Sequence, residues 1–367
     1  MLNGIHFKKS SLLANWQTFF ISVVVLLAVV FATGVKESQA DSNVVSFKDA
    51  KLETAVRSSL HKPTGDITKA DMALLTSLTV SKLGIKDLSG LETATRLLSL
   101  NLSANNISDI SALSSMDKLQ KLYLNNNKIS DLNALSKLLD LKELNLSVNS
   151  IVSLSALENL TNLQKLYLSS NRISSISVLK GFAGLVELNL SNNTFEDVSA
   201  LSNLVKLQKL YLDSCRIKDI SPLNKLVDLQ ELTLYNNIID SINPLVNMVN
   251  LQKLNINKNK LSSIYMLSKM INLTKLNLGE NSIAELSPLS GMSKLKKLVL
   301  NKNSIINISP LGGLTDLQEV NLSENFIKDI SYLKNLDNLK KLEKSKRLDF
   351  QRYPNKNKIQ TFQNKAV

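Results

Sequence analysis

One thiol and two imidazoles, Cys215, His6 and His61, are all that the chain offers to nucleophilic or metal chemistry. A single cysteine excludes an intramolecular disulfide, and with only two histidines a Cys/His zinc site is excluded as well. A histidine base would have to be His61 alone, beside Lys62-Pro63, because His6 falls in a segment expected to be removed. The expectation is therefore no catalytic residue, no metal and no cofactor. Where Cys215 stands in a column of asparagines, a buried structural thiol is the reading preferred over a reactive one.

That column is the backbone of the sequence. Asn105, Asn127, Asn149, Asn171, Asn193, Asn237, Asn259, Asn281, Asn303 and Asn325 recur at multiples of 22 residues, and Cys215 fills the one gap. Each unit reads LxxLxLxxNxIxxIxxLxxLxx, as Leu119, Leu122, Leu124, Asn127, Ile129, Leu132, Leu135 and Leu138 show. Eleven units fill residues 95–336 without an insertion. The Leu-x-Leu alternation has the period of a strand, so Leu122 and Leu124 turn inward while Lys121 and Tyr123 turn outward. The asparagine then turns the chain, and its amide can satisfy backbone groups at a buried corner. Stacking such units predicts a parallel sheet about 50 Å long at ~4.8 Å per strand. The segment behind each strand is too short for a full helix and predicts 3₁₀ turns, stiffened in one column by Pro222, Pro244, Pro288 and Pro310.

The 22-residue pattern is that of the leucine-rich repeat, and the flanks narrow the resemblance. Residues 46–60 place Phe47, Leu52, Val56 and Leu60 at helical spacing, and Thr68 with Asp71 has the spacing of a capping box. A degenerate unit over residues 78–91 comes next, with Leu83 where Asn is expected. With this helical cap, Leu83-Gly84-Ile85-Lys86-Asp87-Leu88, and units ending in Asp-Ile-Ser-Ala/Pro-Leu, as at residues 109–113 and 219–223, the chain resembles a bacterial internalin-type protein over residues 46–336. The resemblance implies an α/β repeat solenoid, an arc with a concave parallel sheet, a 3₁₀ or irregular convex side and a helical N-terminal cap. It also implies export and a concave face that binds a protein, without enzymatic activity.

Four regions are expected. Residues 1–40 combine Lys8 and Lys9, an apolar stretch over 19–35 and small residues before Asp41, the order of a secretory signal peptide cleaved after Ala40, with an uncleaved anchor as the alternative. Residues 41–94 form the cap and degenerate unit, 95–336 the eleven repeats, and 337–367 a basic C-terminal cap or tail, with Lys344 on an inward position where the repeat register is expected to end. Of the formal net charge of +13, +2 falls on residues 1–40, +6 on 337–367 and +5 on everything between. The body is only mildly basic, so nucleic acid is not an expected partner. The tail could hold an anionic envelope polymer or a membrane surface, or be a solvated terminus.

Function should be written in the outward columns, since packing dictates the inward ones. One column alternates Lys121, Glu143, Lys165, Glu187, Lys209 and Glu231, then breaks into Lys253, Lys275 and Lys297 before Glu319. The alternation reads as a stabilising charge ladder, and the break as a place for an anionic ligand. The middle column holds Tyr123, Tyr167 and Tyr211 in alternation with Asn, a 44-residue period, and Tyr235 stands one column away. Duplication of a two-unit block explains the stripe; a ligand-binding surface of exposed rings does so too. The resulting expectation is an exported, monomeric protein-binding module, secreted or held at the cell surface. The alternative is an envelope-associated scaffold tethered by the tail or by an uncleaved anchor.

Overall fold

The computed structural model describes residues 43–344 and the backbone of Gln360–Gln363. The signal segment expected over residues 1–40 and most of the basic tail lie outside the described residues. The chain divides into two compact units, Met1–Val45 and Ser46–Val367; the cap helices and the sheet belong to the second.

Helix α1 (Ala50–Leu60) starts at Asp49, whose carboxylate accepts from the N–H groups of Lys51 and Leu52 at 3.0 and 3.4 Å. Its other oxygen accepts from Lys86 N–H at 2.9 Å, so one side chain both caps the helix and ties it to the first repeat turn. Leu52 and Val56 are fully buried. Helix α2 (Lys69–Met72) carries the expected capping box between Thr68 and Asp71, and Lys62 adds an ion pair to Asp71 at 2.7 Å.

After this cap the strands succeed one another without a crossover: β1 (Ser77–Thr79), β2 (Ser99–Asn101), β3 (Lys121–Tyr123), β4 (Glu143–Asn145), β5 (Lys165–Tyr167), β6 (Glu187–Asn189) and β7 (Lys209–Tyr211). β8 (Glu231–Thr233), β9 (Lys253–Asn255), β10 (Lys275–Asn277), β11 (Lys297–Val299), β12 (Glu319–Asn321), β13 (Lys341–Lys344) and β14 (Gln360–Gln363) complete one parallel sheet in sequence order. Between successive strands from β1 to β13 the chain returns through 3₁₀ turns of three to five residues, and the four column prolines sit in their first turns. The central residue of each three-residue strand is buried and its neighbours are not, as the alternation requires. Strand pairing continues past the last whole unit: β13 keeps register with β12 through Glu319↔Lys341 and Asn321↔Glu343. Lys344, expected to end the register, is instead buried on its inward position within β13.

The asparagine column sets the corner of every turn. Asn171 Nδ2 donates to the carbonyls of Leu146 and Leu168 at 3.0 Å and reaches Ser169 at 3.4 Å, while its Oδ1 accepts from Ile151 N–H at 3.0 Å. The side chain thus stitches its own turn to the preceding unit. The residue before each asparagine is left-handed without being glycine, from Ala104 (φ 55°) and Asn126 (φ 61°) through Val148 (φ 58°) to Glu324 (φ 56°). Val148, β-branched, is the most strained of these.

The two positions that lack asparagine behave alike. Neither Leu83 nor Cys215 offers an amide oxygen, and the next asparagine takes both N–H groups: Leu83 and Ile85 donate to Asn105 Oδ1, Cys215 and Ile217 to Asn237 Oδ1, at 3.0–3.1 Å. In each case a second left-handed residue comes directly after, Gly84 (φ 74°) and Arg216 (φ 64°). Cys215 is fully buried, with Sγ 3.3 Å from the carbonyl oxygens of Leu190 and Asp213. The N–H of Phe195, whose counterparts Ile173 and Ile151 bond to an asparagine, has no acceptor among the described residues. Cys215→Asn should therefore stabilise the fold by about 1 kcal/mol, the net worth of one regained buried hydrogen bond, read as a raised urea midpoint with unchanged slope.

Candidate functional site

The outward face is assembled by register. Because each strand pairs residue for residue with the next, Lys121↔Glu143↔Lys165↔Glu187↔Lys209↔Glu231↔Lys253 form one straight row, and Tyr123↔Asn145↔Tyr167↔Asn189↔Tyr211 the row beside it. Strand spacing of ~4.8 Å puts every Lys within reach of a Glu.

The two rows are a single network. Tyr123 Oη donates to Glu143 Oε1 at 3.0 Å, and the same carboxylate faces Lys165 Nζ at 3.9 Å from the other side. The motif repeats two strands on, where Glu187 lies beside Tyr167 and pairs with Lys209 at 3.3 Å. It repeats again where Glu231 lies beside Tyr211 and pairs with Lys253 at 2.8 Å. Each glutamate thus holds a tyrosine of the strand before it and a lysine of the strand after it, which is the physical content of the 44-residue period. In the sequence these glutamates read as partners of lysine only; the signal for the pairing of Tyr with the next unit's Glu was their shared parity.

The rings are half-buried between strands that carry Asn, or Thr233 beside Tyr211, rather than fully open, which corrects the expectation of a bare aromatic surface. Burial, then the neighbouring carboxylates, raises the Tyr123 hydroxyl above the ordinary tyrosine value, raises that of Tyr167 further and pushes Tyr211 up to about 12. Tyr235 lies beyond the end of β8, 37% exposed, and its N–H is held by Asp213 Oδ1 at 2.8 Å. Asp213 is pushed up by desolvation, against the lowering effect of that bond.

Lys253, Lys275 and Lys297 stand side by side in register on β9, β10 and β11. The outer two lean away from the centre, Lys253 to Glu231 and Lys297 to Glu319 at 2.7 Å, and Lys297 draws Glu319 below the usual carboxylate range. Lys275 has no acid within ion-pair distance among the described residues. Along the margin where β7–β10 begin runs an open groove of about 590 Å³, walled by amides such as Gln230, Asn250, Gln252 and Asn272. Neither this groove nor the face holds a group of acids, histidines and cysteine arranged for a metal, among the described residues. The Cys215 thiol, pushed up to about 11 by burial, stays protonated at neutral pH.

Comparison with known proteins matches the family described as leucine-rich repeats in two copies, in seven overlapping or adjacent stretches from residues 95–137 to 293–338. No curated protein matches. Among solved structures, the chain is similar to an internalin (inlF) from Listeria monocytogenes, at 33% identity over 90% of this chain and 99% of that one with a TM-score of 0.86. It is similar to internalin C2 from the same organism at 33% identity over 61% and 100%, TM-score 0.56, and to a Leptospira interrogans leucine-rich repeat protein at 25% identity over 75% and 79%, TM-score 0.67.

The raised tyrosines give a titration test. Stability contributed by the protonated Tyr211 is complete below pH 10 and is lost as pH rises from 10 through about 12, because the folded state holds the proton longer. A spectrophotometric titration at 295 nm should show a tyrosinate step near pH 12 that Tyr211→Phe removes; Glu231→Gln should move that step toward pH 10.

Proposed function

We propose a function on one premise: the chain belongs to the leucine-rich repeat family and is an internalin-type member of it. It acts as an exported, non-enzymatic binding protein that recognises a protein partner through its concave sheet. The observation that carries this reading is the repeated Tyr–Glu–Lys set on β3–β9: Tyr123 donates to Glu143, Tyr167 and Tyr211 lie beside Glu187 and Glu231, and each of these glutamates pairs with the lysine of the following strand. Tyrosine supplies amphipathic contact area with few torsions to freeze, and here the ordering has been done during folding, so little conformational entropy is lost on association. The surface that touches the partner is Tyr123, Tyr167, Tyr211 and Tyr235 with the lysines around them. Against catalysis stands the chemistry of the described face, which lacks an imidazole and offers no accessible thiol.

Export is read from residues 1–40, with Asp41 as the first residue of the mature chain. The test is capture of partners by the secreted form, its N-terminus sequenced, beside a variant carrying Tyr123→Ala, Tyr167→Ala and Tyr211→Ala, with mass spectrometry of what each retains. A partner lost from the variant, its fold intact by circular dichroism, is the expected result, with affinity reduced at least tenfold. Equal capture by both proteins would move the function off the tyrosine face, toward a scaffold role.

A further inference from the structure

Positive charge is not spread along the repeats. Residues 249–302 hold nine lysines and two glutamates, +7, whereas the rest of residues 41–336 sums to −2. This segment spans β9, β10 and β11, where the alternation of Lys with Glu gives way to Lys253↔Lys275↔Lys297 in direct register. Like charges on adjacent strands destabilise a sheet. The fold relieves two of them outward, onto Glu231 and Glu319, and leaves Lys275 at the centre without an acid among the described residues. Lys258 and Lys302 stand exposed on the rim beside them, Lys302 facing Glu280 at 4.0 Å.

The side chains between these lysines are amides, and their orientation is determined by the backbone. Asn255 Oδ1 accepts from Asn257 N–H, and Asn277 Oδ1 accepts from Gly279 N–H, both at 3.2 Å, so the NH₂ groups of Asn255 and Asn277 must point the other way. Asn257 Nδ2 in turn donates to Asn277 Oδ1 at 3.2 Å, which leaves Asn257 Oδ1 without a hydrogen-bond partner in a residue that is only 9% exposed. Gly279 makes this possible: a Cβ there would collide with the side chains of Asn257 and Asn301, which converge over it. The patch therefore combines a cation, outward-facing amide donors and one buried acceptor that lacks a donor.

Its composition differs from the tyrosine face. Protein interfaces concentrate aromatics and arginine and are depleted in lysine. Here the middle column reads Asn255, Asn277 and Val299, and no arginine occurs between Arg216 and Arg347. Lysine is a compact charge on a flexible stem, suited to anions presented in varied orientations, and amides match hydroxyls as donor and acceptor at once. We propose that the outward face of β9–β11 binds an acidic polysaccharide, its anionic groups at Lys275 and the flanking lysines and its hydroxyls at Asn255 and Asn277. The site meets the tyrosine surface only at Lys253 on β9 and does not depend on the reading given to that surface.

The test measures binding of the full chain to heparin, to polygalacturonate and to poly-glutamate, a polyanion without hydroxyls, at fixed salt. A variant with Lys275→Gln, Lys297→Gln and Lys302→Gln, which leaves the Lys253–Glu231 pair beside Tyr211 intact, is compared with one in which Lys346, Arg347, Arg352, Lys356, Lys358 and Lys365 are all changed to Gln. The expected result is at least tenfold weaker binding of heparin or polygalacturonate in the first variant and little change in the second, with poly-glutamate at least tenfold weaker than the better polysaccharide on the unmodified protein. Which of the two sugars is preferred distinguishes sulfate from carboxylate recognition. Unchanged affinity in the first variant, or loss confined to the second, would overturn the site; poly-glutamate bound as tightly as the sugars would overturn the ligand class in favour of an acidic protein segment. Removing stacked lysines relieves repulsion, so the first variant should fold at least as well, checked by circular dichroism, and it should still capture any partner of the tyrosine face.

Discussion

The corner asparagine is the constraint on which the architecture rests. A chain that coils with short turns must bury backbone groups at each corner, and an unpaired buried carbonyl or N–H costs about 1–3 kcal/mol. Asn171 shows the solution: its amide donates to a carbonyl 3 residues back in its own turn and to one 25 residues back in the preceding unit, and it accepts from an N–H of that unit 20 residues back. Those offsets close only if every unit has the same length, so the amide enforces the period that the leucines merely fill. A residue inserted into one turn would strand groups in two units.

Equal unit length is what turns a list of side chains into a surface. Because the strands pair residue for residue, a position within the unit becomes a row on the sheet, and chemistry that alternates between units becomes contact between neighbours. The glutamates exploit this by serving a tyrosine on one side and a lysine on the other. Each exposed ion pair contributes only about 0.2–1 kcal/mol. Their effect is geometric: they fix the carboxylates beside which the three rings lie, two strands apart. Where the alternation ends, at β9, the same registration concentrates charge instead of cancelling it.

Much of this was legible in the residues. The strands, the 3₁₀ turns, the helical cap and its Thr68–Asp71 box come from spacing alone, because period and capping chemistry are local. Four things were not. The left-handed residue before each asparagine carries no glycine to announce it, as Val148 shows, since it is imposed by the closure of the turn rather than by local preference. The extension of β13 through Lys344, paired with Gln363 of β14, was hidden because a lysine on an inward position breaks the hydrophobic pattern, yet the strand ladder binds backbone and tolerates one such side chain. The tyrosine–glutamate contacts join residues 20 apart on different rows, and only the register makes them neighbours. Cys215 was legible as a buried thiol; the loss of an acceptor for Phe195 was not, because it appears one unit away from the substitution.

The alternation of Tyr-bearing and Glu-bearing strands has a consequence for how such an array can change length. Deleting one 22-residue unit between β3 and β8 would set lysine beside lysine with a tyrosine facing no carboxylate, or glutamate beside glutamate, whereas deleting two restores every contact. Through that stretch the gene can grow or shrink without penalty only by even steps. The three lysine strands beyond it mark the point at which this parity was abandoned, and with it the requirement that each new unit balance the charge of the last.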